Sequence, residues 1–173
     1  MEAKSAVTIN LPVETVYQFW HDFENLPRFM LHLEHVEVTG SRRSHWVVRA
    51  PGERTVEWDA EIVDDVVNER IEWRSMVKAE IPNRGVVEFR TAPGDRGTEL
   101  SVELSYDAPA GPLGRLAAKI FGEEPAQQIR DDLRRFKQIL ETGEVLRSDG
   151  SPEGIGDSVT RQHPAQPAAE ARP

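Results

Sequence analysis

The chain has 173 residues, enough for one domain with a real core, and a formal net charge of −9 with no long basic run. That balance argues against nucleic-acid binding, which needs a positive footprint. The absence of cysteine excludes a disulfide framework and thiol chemistry.

Taken in order, Met1-Glu2-Ala3-Lys4-Ser5 leads into a strand rather than an apolar signal segment, and no apolar run approaches the length of a membrane span. A cytoplasmic protein is the expectation. From Ala6 to Leu11, Val7, Ile9 and Leu11 alternate with polar residues, which predicts a half-buried strand ended by Pro12. Val13, Val16, Tyr17 and Trp20 then recur at helical spacing. A second helical turn follows over Phe23–Met30, interrupted at Pro27.

From Val36 the pattern has period two for about seventy residues. Its apolar positions include Val36, Val38, Trp46, Val48, Val56, Trp58, Ala60, Ile62, Ile71, Trp73, Val87, Phe89, Leu100, Val102, Leu104 and Tyr106. Asp64 to Asn68 and Pro93 to Gly97 read as turns, and Met76 to Asn83 as a longer loop. Strands joined this way predict an antiparallel meander with one apolar face. Acidic and arginine residues alternate on the other face and read as a solvated ladder of surface ion pairs.

Leu113, Leu116, Ala117 and Ile120 form a helical stripe, and Ile129, Leu133, Phe136 and Leu140 a second one. Gly122 and Pro125 break the helix between them, and Gly143 suits its C-terminal end. The second stripe needs a surface to lie on, and the apolar face of the sheet supplies it. Residues 1–145 therefore read as one domain. Residues 146–173, rich in Ser, Gly, Pro, Ala and Gln, read as a disordered tail.

This order resembles the helix-grip fold of the START-like superfamily: an α+β architecture with a seven-stranded antiparallel curved sheet wrapped around a long C-terminal helix. Val13-Glu14-Thr15-Val16-Tyr17-Gln18-Phe19-Trp20, Phe23-Glu24-Asn25-Leu26-Pro27-Arg28-Phe29-Met30, Val56-Glu57-Trp58-Asp59-Ala60, Gly97-Thr98-Glu99-Leu100 and Phe121-Gly122-Glu123-Glu124-Pro125 carry the likeness. They are similar to the bacterial polyketide cyclase/dehydrase branch, which includes relatives of the coenzyme-Q-binding START-type domain. The resemblance implies an apolar cavity between sheet and helix. Its mouth would lie among Phe29–Met30, Pro51–Glu53, Met76–Asn83 and Asp107–Pro112, with Leu113–Phe121 beside it.

If Pro51 to Glu53 forms a hairpin loop, Trp46 falls opposite Trp58, and Trp73 shares their face. The three indoles are either plain core or an aromatic wall for a flat apolar ligand. The ligand-binding candidates are Phe29, Met30, Trp46, Trp58, Trp73, Phe89, Tyr106, Leu116, Ile120, Leu133 and Phe136. Tyr106 is the one weak catalytic candidate. His21, His32, His35, His45 and His163 show no ligand spacing and read as surface or loop residues, so neither a metal nor a cofactor is expected. Carboxylates fall mainly on the outer parity, which favours binding over acid–base catalysis.

Three readings follow. The first is a binder of a small hydrophobic molecule such as a quinone, lipid or polyketide-like aromatic. The second is a cyclase or aromatase, for which the resemblance points to Tyr106, Ser44 and Arg42. The third is a protein-interaction module, since relatives of this branch include a ribosome-association toxin.

Overall fold

The computed structural model describes residues 1–108 and 110–143, so the tail expected over 146–173 lies outside the described residues. Seven strands, β1 (Glu2–Ile9), β2 (Leu33–Val38), β3 (Arg43–Ala50), β4 (Arg54–Val66), β5 (Arg70–Ser75), β6 (Asn83–Thr91) and β7 (Thr98–Tyr106), form one antiparallel sheet. Its spatial order is β1-β7-β6-β5-β4-β3-β2. The meander puts chain neighbours side by side, and β1 closes against β7. Helix α1 (Val13–His21) and a 3₁₀ turn (Phe23–Arg28) lie between β1 and β2. Helices α2 (Pro112–Phe121) and α3 (Pro125–Thr142) follow the sheet. This is the α+β helix-grip architecture that the resemblance implies.

Strand parity decides the core. Val56, Trp58, Ala60, Ile71, Trp73, Val87, Phe89 and Val102 are buried on the inner face, with Leu104 partly so. The outer ladder also forms: Arg74 meets Glu61 at 2.9 Å, Arg70 reaches Asp64, Glu72 and Glu88, and Arg84 reaches Glu72 at 2.9 Å.

Helix α3 buries Ile129, Asp132, Leu133, Phe136 and Ile139. The expected Leu140 stands at the margin of this stripe, and Ile139 takes the core position. Phe136 meets Phe29 at 4.8 Å and Trp20 at 5.2 Å between ring centroids. Polar contacts fix the register of α3 on the sheet edge: Lys137 Nζ donates to the Thr8 carbonyl at 2.6 Å, and Glu141 Oε1 accepts from the Asn10 N–H at 2.8 Å.

Three local expectations are corrected. β1 begins at Glu2 rather than Ala6, because its whole length pairs with β7 from Glu2↔Ser105 onward. In β2, Val38 is exposed, and Leu33 and Val36 carry the buried positions after a register shift between Leu33 and His35. The segment read as a turn from Asp64 continues as β4 to Val66, because a bulge between Ile62 and Asp64 resets the pairing.

Candidate functional site

The three indoles meet as the pairing predicts. Trp46 stands opposite Trp58 across β3 and β4. The Trp46 ring stacks on Trp58 at 5.9 Å and on Trp73 at 6.1 Å, each pair inclined by 23°. Room for Trp73 comes from Gly85, its partner on β6. A Cβ there would stand 2.1 Å from Trp73 Cζ2, so only glycine fits beneath this indole.

Of the eleven ligand-binding candidates, Met30, Trp46, Trp58, Trp73 and Tyr106 line one pocket, together with His32, Leu33, Asn83, Arg84, Leu104, Ser105 and Phe121. The other six are placed in the core: Phe29 and Phe136 against each other, Phe89 against Tyr17, Leu133 and Ile120 buried, and Leu116 packed at the margin. The pocket holds about 20 Å³, the size of a single water rather than the ligand-sized cavity the resemblance implies. The reason is Phe121, the last residue of α2, which stacks on Tyr106 at 4.6 Å and 14° and leans toward Trp58 at 6.3 Å. Helix α2 is bounded by Gly111 (φ +89°) and Gly122 (φ +85°), both in backbone regions that favour glycine.

The polar atoms here are few. Trp46 Nε1 donates to Ser44 Oγ at 2.8 Å. Trp58 Nε1 is buried with no hydrogen-bond partner among the described residues. Burial raises the Tyr106 hydroxyl above its ordinary pKa, and that hydroxyl donates to Met1 Sδ at 3.2 Å. Ser44 and Arg42, named with Tyr106 for a cyclase, line a different groove.

Sequence reasoning missed a titratable group at the pocket mouth. His32, read as a surface or loop residue, is largely buried beneath Phe121 at 6.5 Å. Gln128 of α3 meets His32 Nδ1 at 2.8 Å, and its Oε1 would clash with any Cβ at Gly122. Asp132, one helical turn further on, is 3% exposed, and its Oδ1 accepts from Arg135 at 2.8 Å. Burial lowers the His32 pKa to about 4, helped by the Arg135 cation. Burial likewise raises the Asp132 pKa to about 7, aided by Asp131 and opposed by Arg135. His32, Tyr106, Phe121, Gln128 and Asp132 together enclose a small space next to the indole pocket. The helical period could have flagged Asp132, which shares the stripe of Ile129, Leu133 and Phe136. Nothing in the sequence marks His32.

A second polar cluster lies near the end of β4. The bulge turns Asp65 to stand opposite the buried Ile71. There Asp65 accepts from the Tyr17 hydroxyl and meets His21 Nε2 at 2.8 Å. Burial, followed by the Asp65 contact, raises the Tyr17 pKa well above its ordinary value. Among the described residues no group of three or more acidic or histidine side chains is arranged to hold a metal ion, and no helix is long and apolar enough to cross a membrane.

Comparison with known proteins agrees with this architecture. The profile of the family described as polyketide cyclase/dehydrase and lipid transport matches residues 9–134. An uncharacterized 17.2 kDa protein of Streptomyces lincolnensis is 29% identical over 140 residues, 81% of this chain and 89% of that protein. A crystal structure from Deinococcus radiodurans is 44% identical, covers 83% of this chain and all of its own, and superposes with a TM-score of 0.68. Another, from Thermus thermophilus, is 25% identical over 83% of this chain and 99% of its own, with a TM-score of 0.64.

Proposed function

This chain belongs to the polyketide cyclase/dehydrase and lipid transport family, and on that premise we propose that it binds a small, flat hydrophobic molecule among Trp46, Trp58 and Trp73. The carrying observation is the indole row itself, which ends at Phe121, a ring that a glycine-bounded helix inserts. Three large rings beside a buried, unpaired Trp58 N–H suit a ligand that is mostly aromatic and carries an acceptor oxygen. A quinone or polyketide-like aromatic meets that description better than a plain acyl chain. Displacing Phe121 would give the ligand its place. At about 25 cal/mol per Å² of buried apolar surface, a quinone-sized ring reaches affinity on the order of micromolar without a charged partner.

Quenching of tryptophan fluorescence tests this. Titration with 1,4-naphthoquinone, a flat polyphenol and a fatty acid is expected to give saturable quenching strongest for the quinone, and Trp58→Ala to weaken it. No saturable response from any class would sink the reading and favour the protein-interaction module.

One observation favours a second reading, an acid–base enzyme of the cyclase or dehydrase kind. Asp132, His32 and Tyr106 are titratable, largely buried and at the pocket mouth. Environments that push an acid up and a base down arrange proton donors and acceptors for chemistry near neutral pH. Turnover of a polyketide thioester, lost in Asp132→Asn with ligand quenching retained, would favour this reading over binding alone.

A further inference from the structure

Beyond the indole pocket, the inner face carries a second concavity. It is a groove of about 250 Å³ between the β2–β3 turn and the junction of α1 with the 3₁₀ turn. His21, Asp22, Ser41, Arg42, Arg43 and Ser44 supply its polar lining. The Arg42 guanidinium has no hydrogen-bond or ion-pair partner among the described residues, whereas Arg70, Arg74 and Arg84 on the outer face are all paired. Arg43, opposite Glu61, belongs by strand alternation to that outer face and lines the groove through its backbone.

The backbone that carries these two arginines is fixed. The Arg42 carbonyl accepts from the Ile62 N–H at 2.8 Å, and the Arg43 carbonyl accepts from the N–H groups of Thr39 and Gly40 at 2.9 and 3.2 Å. Ser44 beside them is 4% exposed. Its oxygen already accepts from Trp46 Nε1, so its own hydrogen remains to be donated. His21 is held from behind by Asp65, itself bonded to the buried Tyr17. When Nε2–H donates to that carboxylate, Nδ1 is left as an acceptor.

An unpaired guanidinium, a buried hydroxyl and an oriented imidazole suit a tetrahedral oxyanion that also carries a proton. Asp22 is the one carboxylate on the groove wall, and its Oδ1 is engaged by the Glu24 N–H at 3.2 Å. We propose that this groove binds the phosphate group of a small soluble phosphomonoester, on the far side of Ser44 and Trp46 from the indole pocket.

The test is NMR of the full chain at constant pH and ionic strength, following the His21 ring and the Arg42 side-chain resonances. The titrants are inorganic phosphate, glycerol 3-phosphate, acetate and vesicles containing phosphatidic acid. Expected are saturable shifts with phosphate and glycerol 3-phosphate at Kd on the order of 1 mM, and acetate at least about fivefold weaker. Arg42→Gln should weaken phosphate by about fivefold or more, with Arg96→Gln, an exposed control elsewhere, unchanged. Arg42 is exposed and unpaired, so its replacement leaves the fold intact, which the thermal midpoint checks. Linear shifts without saturation, equal binding of acetate, equal loss in Arg96→Gln, or binding to vesicles without binding to phosphate would each overturn the assignment.

Discussion

His32 Nδ1 lies 4.0 Å from Asp132 Oδ2, within ion-pair range, yet burial leaves both groups neutral between about pH 4 and pH 7. The contact is therefore a meeting of an imidazole and a carboxylic acid. Its pH dependence follows from which state binds more protons. Asp132 has its folded pKa raised to about 7, so the folded state holds the extra proton and stability falls as pH rises through that window. His32 has its folded pKa lowered to about 4 from 6.5, so the unfolded state holds the extra proton and stability rises between those values. The two slopes oppose each other, each up to roughly 1.4 kcal/mol per pH unit. Relative to the native chain between pH 4.5 and 6.5, His32→Gln should lose stability with rising pH and Asp132→Asn should gain it. Urea denaturation across that range is the measurement. Curves parallel to the native chain in both variants would refute the assignment.

Gly85 offers a sharper steric test. An alanine there places its Cβ 2.1 Å from Trp73 Cζ2 and 2.4 Å from Cε2. Neither strand can move without breaking the β5–β6 ladder, so the indole must swing out of its stack with Trp46. Gly85→Ala is expected to destabilise by about 1–3 kcal/mol and to alter the near-ultraviolet circular dichroism of the indole row. An unchanged spectrum with an unchanged thermal midpoint would show that the row tolerates displacement.

The contrast between Trp58 and Asp65 shows how far the sequence could be read. Both lie on β4. Period-two alternation holds from Val56 to Ile62, so the inward aim of Trp58 and its pairing with Trp46 were legible. One extra residue at the bulge then reverses the parity, which alternation cannot anticipate, and Asp65 arrives on the inner face with Tyr17 and His21. Asp132 was hidden differently: the helical stripe that locates the core contains it, but a search for large apolar residues passes over a carboxylate. His32 is covered by Phe121 of α2 and by Gln128 and Asp132 of α3, 89 or more positions away in the numbering, and no local pattern encodes those contacts. The ring of Phe121, stacked on Tyr106, also explains why the implied cavity is nearly filled, since periodicity places α2 near the sheet without saying whether its last ring enters.

Whether Phe121 is a plug or a wall decides how the pocket works. In the described conformation its ring lies almost parallel to Tyr106 and within reach of Trp58 and His32, so a ligand among the indoles would compete with it. A binding site available only in a minor open state shows an apparent affinity reduced by the fraction of molecules that are open. Shortening the ring removes that competition. Phe121→Ala should therefore tighten 1,4-naphthoquinone binding by about tenfold, chiefly through faster association, while the ligand-free protein melts several degrees lower because the mouth loses its packing. Phe136→Ala provides the comparison: it removes a fully buried ring that packs on Phe29 and Trp20, at a cost of about 3–5 kcal/mol, without clearing the indole row. It should lower the melting temperature with no gain in affinity. Stopped-flow quenching with both variants separates the cases. If Phe121→Ala binds more weakly than the native chain, the ring forms part of the ligand's wall; if association is unchanged, ligands reach the indoles by a route that does not involve α2.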